Sequence, residues 1–137
     1  MKLVVHVDGG ARGNPGPAAA AASVANGDGE VIDEASELLG VQTNNVAEYR
    51  GVLLGIARAK ALGASELELV NDSELVAKQL DGSYRVKHPA MIELFTQARA
   101  ALAGFERWSI RTVRREQNER ADALVNQALD AAPSRGH

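Results

Sequence analysis

The sequence contains no cysteine, which excludes a disulfide scaffold and a thiolate metal site and leaves a reducing cytoplasm compatible with the chain. It also lacks any apolar run approaching the length of a membrane span. Its opening residues, Met-Lys-Leu-Val-Val-His-Val-Asp, meet charge too soon to act as a signal peptide. The glycine-rich stretch Asp8–Pro17 has no Lys-Ser/Thr to close a Walker loop, and a strand rather than a helix follows it, so no dinucleotide fingerprint can be read. Repeats, linkers and low-complexity segments are missing apart from a bias toward alanine. What is there is 137 residues with a hydrophobic share of 45% and interspersed charge, a length and composition that predict one globular domain. That domain is expected over residues 1–132, with 133–137 a disordered tail, in a cytoplasmic, monomeric protein with no membrane association and no obligate protein partner. A net charge of −3 argues against a generic nucleic-acid coat. Clustering matters more than the total, and Arg107, Arg111, Arg114, Arg115 and Arg120 crowd one C-terminal stretch as either a solvated face or a binding surface.

Taken in order, Leu3–Val7 is a β-branched run that Asp8-Gly9-Gly10 is expected to break. A second strand spans about Ala18–Ala25 and is nearly all alanine, a poor strand former, which predicts a helix packed closely on it. Asn26-Gly27-Asp28-Gly29 is a hairpin signal, and a third strand follows over about Glu30–Leu39, completing an antiparallel meander. Asn44 or Asn45 then caps a helix that ends at Leu62-Gly63, with Val46, Tyr49, Leu53, Ile56 and Ala57 as its core stripe. Gly51 and Gly55 share a face with Glu48 and Val52. Two glycines inside a helix cost about 1 kcal/mol each relative to alanine, so close approach to another backbone is the expected compensation. A fourth strand over Glu66–Asn71 runs through Asp72-Ser73-Glu74 into a short helix to Leu80. A further helix begins at His88-Pro89, carries Met91, Leu94, Phe95, Ala98 and Leu102 at helical spacing, and stops by Gly104. Trp108–Val113 is strand five, and Asn118 caps a last helix whose buried stripe is Ala121, Leu124, Val125, Ala128 and Leu129.

The acids fall where such a sheet places its sites. In a sheet with parallel neighbours, ligands bind beyond the carboxyl ends of the strands, and Asp8 and Asp72 follow strands one and four. If those strands are adjacent, Glu48 from the first helix and Asp122 from the last helix's first turn join them. Each has an ordinary account by itself: Asp8 as a turn former, Asp72 as a strand-end cap, Glu48 and Asp122 as partners of helix dipoles. Four together raise one another's pKa unless a cation compensates, and an all-oxygen set without histidine or cysteine favours Mg²⁺ or Mn²⁺ over zinc.

These blocks carry a resemblance. Asp8-Gly9-Gly10 with Gly13-Asn14-Pro15-Gly16-Pro17, Thr43-Asn44-Asn45-Val46-Ala47-Glu48-Tyr49, Asn71-Asp72-Ser73-Glu74-Leu75-Val76, and Arg115-Glu116-Gln117-Asn118 with Ala121-Asp122 resemble the four successive motifs of ribonuclease H, type I. The likeness runs from about Met1 to Ala131. It implies an α/β ribonuclease H-like fold: a five-stranded mixed sheet in the order 3-2-1-4-5, strands 1–3 antiparallel and 1-4-5 parallel, flanked by helices. It also implies an endonuclease that hydrolyses the RNA strand of RNA/DNA hybrids by two-metal-ion catalysis with Mg²⁺, or Mn²⁺ in its place, leaving 5′-phosphate and 3′-hydroxyl ends. By the same resemblance Asp8, Glu48, Asp72 and Asp122 are the catalytic, metal-binding set. Asn14, Asn44, Asn45 and Glu74 match positions that line the RNA side, main-chain groups of Gly9, Gly10 and their loop add donors and acceptors, and Thr43 helps hold a DNA phosphate.

Two departures stand out. Only Asp-Gly-Ser-Tyr-Arg-Val-Lys-His separates Leu80 from Pro89, where many members insert a basic helix and loop that grips the duplex, so this chain falls in a subgroup without that handle. Weaker and more salt-sensitive binding is the expected result. No histidine stands in the loop before the last helix either; Arg114 or Arg115 is there instead, and Arg115 is the candidate, suited to holding a phosphate or aiding product release but not to shuttling a proton. Three other readings compete: a binding module that has lost catalysis, a related exonuclease or nucleotidyl-transfer enzyme, and a metal-free structural domain. The first predicts a missing acid, the second predicts loss of Asn14 and Thr43-Asn44-Asn45, and metal titration tests the third.

Overall fold

The computed structural model describes residues 1–132, so the tail expected at 133–137 lies outside the described residues. Strands β1 (Lys2–Ala11), β2 (Gly16–Ala25) and β3 (Val31–Gln42) lead into helix α1 (Asn44–Ala61). Then follow β4 (Glu66–Asn71), α2 (Glu74–Leu80), α3 (Pro89–Leu102), β5 (Arg107–Thr112) and, after a short 3₁₀ turn over Arg115–Gln117, α4 (Glu119–Ala131). The strands form one sheet in the order β3-β2-β1-β4-β5. β1, β2 and β3 pair antiparallel, and β1, β4 and β5 pair parallel, the topology expected from the sequence.

Helices cover the sheet unequally. Leu3, Val5 and Val7 of β1 and Leu67 and Leu69 of β4 form a continuous core with Tyr49, Val52 and Ile56 of α1, Val76 and Leu80 of α2, and Met91, Ala98 and Leu102 of α3. On the other side Ala19 and Ala21 of β2 and Val125 of α4 form a small cluster with Leu124, Ala128 and Leu129 packed around it, and Ala121 of α4 is buried as well. The alanine run of β2 alternates between the two layers, with Ala22 and Val24 facing the large core and Ala19 and Ala21 facing α4, as the two-residue period of a strand requires. Small side chains admit a helix to either face. Tyr49 sits wholly inside the larger core, and its hydroxyl donates to Gln79 Oε1 at 2.5 Å, which satisfies the one polar atom it carries.

Several boundaries depart from expectation. β1 does not break at Asp8-Gly9-Gly10; it continues in pairing with β2 through Gly9↔Ala20 and Gly10↔Ala19. The reason is room rather than turning, since a Cβ on Gly9 would lie 1.9 Å from the Ala47 carbonyl oxygen of α1. The cap of α1 is Thr43, not Asn44 or Asn45: its hydroxyl accepts from the Val46 amide at 3.2 Å, which frees both asparagine side chains. The face of α1 pressed on the sheet is the glycine face, with Gly51, Val52, Gly55, Ile56 and Ala59 buried, while Val46 and Leu53 are half-buried and Ala57 is exposed. A Cβ on Gly51 would meet the Asp8 carbonyl oxygen at 2.4 Å, so the close approach inferred from the two glycines does occur and is directed at β1. Asn118 stands at the start of α4 but makes no side-chain cap; its amide turns into the protein instead.

Candidate active site

The parallel ladder between β1 and β4 pairs Lys2 with Glu66 and runs to His6 with Val70. Continued by two more pairs in the same register, through Val7 opposite Asn71, that ladder brings Asp8 level with Asp72, just where β4 has ended and the two strands part. Asp8 is therefore not at the end of its strand, as expected, but at the end of its parallel pairing; on its other side it still pairs with Ala21 of β2. The separation opens a gap, and the tight seating of α1 on Asp8 and Gly9 carries Glu48 into it.

Asp122 reaches the gap through Asn118. The buried Asn118 side-chain amide donates to the Val7 carbonyl oxygen at 2.9 Å, next to Asp8, and the Asp122 amide donates to the Asn118 carbonyl oxygen at 3.1 Å. One asparagine thus ties the first turn of α4 to the strand that bears Asp8. Its Oδ1, like Oδ1 of Asn71 beside Asp72, is buried without a hydrogen-bond partner among the described residues. Two unsatisfied acceptors behind a group of carboxylates add negative potential to a place that already has too much.

Asp8, Glu48, Asp72 and Asp122 line a single cleft of about 390 Å³, together with Gly9, Gly10, Arg12, Asn44 and Arg115 and, along α4, Val125, Asn126 and Leu129. Crowding shows in their acidities. Burial, then the Asp72 and Asp122 carboxylates, push the Asp8 carboxyl up to about 8, and a hydrogen bond from the Gly9 amide offsets only part of this. Burial also raises Glu48, against a hydrogen bond from Ser73; Asp72 adds to the rise and Arg115 opposes it. Asp72 is raised by burial first, with Arg115 pulling the other way and Asp122 adding to the shift.

The donor set fits a hard divalent cation, which favours oxygen ligands and would relieve this repulsion. Among the described residues, no three His, Cys, Asp or Glu side chains are gathered closely enough to hold one ion by themselves. Magnesium does not need such a cage, because it keeps several waters and is commonly bound by one or two carboxylates together with substrate phosphates.

The other residues singled out in the sequence divide into three groups. Gly9, Gly10 and Asn44 border the cleft. Asn44 Oδ1 accepts from the Ala11 amide at 2.9 Å and the Asn44 amide donates to Asn14 Oδ1 at 3.1 Å, so the β1–β2 turn and the start of α1 are held together beside the acids. Thr43 and Asn45 are exposed at that same helix end. Glu74 stands apart, bordering a second hollow of about 310 Å³ with Lys78, Asp81, Arg111 and Thr112. The arginine cluster disperses: Arg111 pairs with Glu68 at 3.1 Å, Arg120 pairs with Glu34, and Arg115 enters the cleft. Ser73 and Arg12 were not singled out by motif or periodicity, although Arg12 is the one charged side chain in the glycine-rich turn.

The sequence matches the profile of a family described as reverse transcriptase-like over residues 6–128. It is 46% identical over 133 residues to the bifunctional protein Rv2228c of Mycobacterium tuberculosis, covering 96% of this chain and 36% of that one. The chain therefore spans about a third of the length of its mycobacterial relatives. The crystal structure of RNase H1 from the halophilic archaeon Halobacterium salinarum superposes with a TM-score of 0.94 at 42% identity, covering 96% of this chain and all of the other. LC11-RNase H1, solved in complex with an RNA/DNA hybrid, gives a TM-score of 0.91 at 36% identity, covering 96% and 99%. With this sheet order, these four motifs and full-length likeness to solved ribonucleases H, the chain belongs to the ribonuclease H family, type I.

Proposed function

We propose that this protein is an endonuclease that hydrolyses the RNA strand of RNA/DNA hybrids, leaving 5′-phosphate and 3′-hydroxyl ends, with Asp8, Glu48, Asp72 and Asp122 holding two Mg²⁺ ions for which Mn²⁺ can substitute. The observation that carries the reading is the convergence of four carboxylates from β1, α1, the end of β4 and α4 on one cleft, with the Asp8 carboxyl pushed up to about 8. Bound there, two divalent ions supply activation of the attacking water and stabilisation of the leaving 3′ oxygen. The chain's own part is to hold the acids at fixed spacing on rigid elements and to seat the duplex.

Seating follows from the surroundings of the cleft. Asn14 and Asn44, locked to each other and to the β1–β2 turn, present amides to the RNA strand, where 2′-hydroxyls distinguish it from DNA. Gly9 and Gly10 add main-chain groups to that side, and Asn45 is exposed beside them at the start of α1; Glu74 borders a separate hollow and meets the RNA strand away from the acids. Thr43, exposed at the N-terminus of α1, faces the DNA strand's phosphates, which favour the free amides of a helix start. Arg115 enters the cleft beside Glu48 and Asp72 and holds a phosphate of the cut strand. The turn from Asp81 to His88 between α2 and α3 leaves no room for a basic handle. Hybrid binding is therefore expected to weaken steeply with salt.

The test is Asp72→Asn. It keeps size and hydrogen-bonding reach but removes one charge from the metal set, so cleavage of a labelled hybrid should fall by several orders of magnitude while hybrid binding survives. The metal-free fold should not weaken, since repulsion among the acids is relieved. Cleavage near the parental rate, or undiminished cutting in excess chelator, overturns the reading. Double-stranded DNA and RNA duplexes should be spared under the same conditions.

A further inference from the structure

The cleft does not stop at the acids. From Asp122 it runs along α4 to Leu129, seven residues and about 10 Å at the rise of an α-helix. That length accommodates roughly three base steps of a nucleic-acid strand at 3.4 Å each. Arg12, from the turn after β1, stands on the opposite bank. Among the described residues only two cations line the cleft, Arg115 beside Glu48 and Asp72, and Arg12 near Asn126 and Leu129.

Arg12 is loosely held at its tip and firmly held at its base. Its amide donates to the Pro17 carbonyl oxygen at 2.8 Å, and the preceding Ala11 amide donates to Asn44 Oδ1, so the backbone from which the side chain projects is fixed. The guanidinium pairs with Asp130 at 2.7 Å and touches the Asn126 carbonyl oxygen and Oδ1 only at 3.5 Å. Both partners are open to water, with side-chain exposures of 48% and 68%, and such a pair contributes little to stability. Asn126 in turn donates to the Asp122 carbonyl oxygen at 3.2 Å and to its Oδ2 at 3.4 Å, so the place where Arg12 rests is connected to a catalytic acid.

We infer that Arg12 is a phosphate clamp for the RNA strand on the α4 side of the scissile bond, with Asp130 holding the guanidinium in readiness until a phosphate displaces it. This rests on the hybrid-cutting reading above. A phosphate diester offers the planar guanidinium two oxygens in matching geometry, and a weak exposed carboxylate partner is exchanged for it at little cost. The strand follows from position: Arg12 belongs to the same turn as Asn14 and the glycines that face RNA. With Arg115 at the other end, the cut strand is gripped on both sides of the acids.

The alternative is that Arg12 merely clips the end of α4 to the turn, and the two roles predict opposite behaviour. Hybrid cleavage with excess Mg²⁺ is measured for the parent, Arg12→Ala, Arg12→Lys and Asp130→Asn across a range of salt. For a clamp, Arg12→Ala should raise KM roughly five- to tenfold with kcat nearly unchanged, and should reduce the salt slope of kcat/KM by about one. Arg12→Lys should recover part of this, and Asp130→Asn should lower KM, because the guanidinium loses its competitor. If Arg12→Ala and Asp130→Asn shift melting temperature together and leave KM and the salt slope unchanged, Arg12 is only a clip. A neutral methylphosphonate placed at single positions identifies the strand: one RNA linkage should raise the parental KM and have no further effect on Arg12→Ala. Finding that linkage in the DNA strand overturns the RNA assignment. A parent that cuts no hybrid at all brings down the functional reading itself, an outcome distinct from a cutting parent whose Arg12 variants behave alike.

Discussion

The two faces of the sheet are built differently. Under α1, α2 and α3 lies a continuous core of large aliphatic residues with Tyr49 at its heart, whereas α4 is held by a few enclosed small or medium side chains, Ala19, Ala21, Ala121 and Val125, and by the amide of Asn118. The first face supplies most of the stability and carries Glu48 on the helix seated most tightly. The second contributes little apolar burial but carries Asp122, Asn126 and the far bank of the cleft. Large and small apolar burial thus fall on opposite sides of the same strands, and the acids meet where the sides join.

The largest effect should come from the seam between β1 and α1. Gly9→Ala puts a methyl group 1.9 Å from a backbone oxygen that cannot turn away, so we expect folding to be lost outright. A soluble variant with parental circular dichroism and melting temperature would show that the helix is seated less tightly than described.

Next comes a paired comparison of the two faces. Leu69→Ala, in the large core, should cost about 2–5 kcal/mol in urea unfolding and leave cleavage near parental when assayed well below its melting temperature. Val125→Ala should cost only about 1–2 kcal/mol, because the small cluster has less to lose, yet should lower cleavage more, since Val125 borders the cleft one turn beyond Asp122. Equal losses of stability and activity from both variants would erase the distinction drawn between the faces.

The smallest effect concerns the junction itself. With its carboxyl pushed up to about 8, against about 3.9 in an unfolded chain, Asp8 keeps a proton in the folded state that the unfolded chain has already released between those values. Raising pH through that window therefore removes stability: it is present below about pH 4 and lost as pH rises through about 8. Metal-free protein should melt several degrees lower at pH 8.5 than at pH 5, relative to Asp8→Asn over the same range, and added Mg²⁺ should restore the difference. Parallel pH profiles for the parent and Asp8→Asn would mean that the acids are not crowded.

Much of this organisation is legible along the chain. Strand and helix order, the close approach of Gly51 and Gly55, and the alanine strand between two layers all follow from period and side-chain size. Local signals misled where a residue serves a distant neighbour. Gly9 and Gly10 look like a turn but give room to α1, Asn118 looks like a cap but reaches Val7, and Ala57 looks like core but faces water because the glycine face packs instead. Glu74 sits in a motif with Asp72 yet borders a different hollow, since it opens α2 beyond the Ser73 cap and faces Lys78, Asp81 and Arg111 rather than the acids.

By itself, then, the sequence determined through periodicity which elements form, and through four short motifs and the family they resemble it implied the order of the sheet and the four acids as one set. Only the tertiary structure decided how those acids meet. The register that sets Asp8 level with Asp72, the seating of α1 that brings in Glu48 and the Asn118 amide that anchors Asp122 all act between residues far apart in the chain, as does the pairing of Arg12 with Asp130 across the cleft. Such contacts depend on how whole elements pack, and no local pattern of side chains encodes their distances.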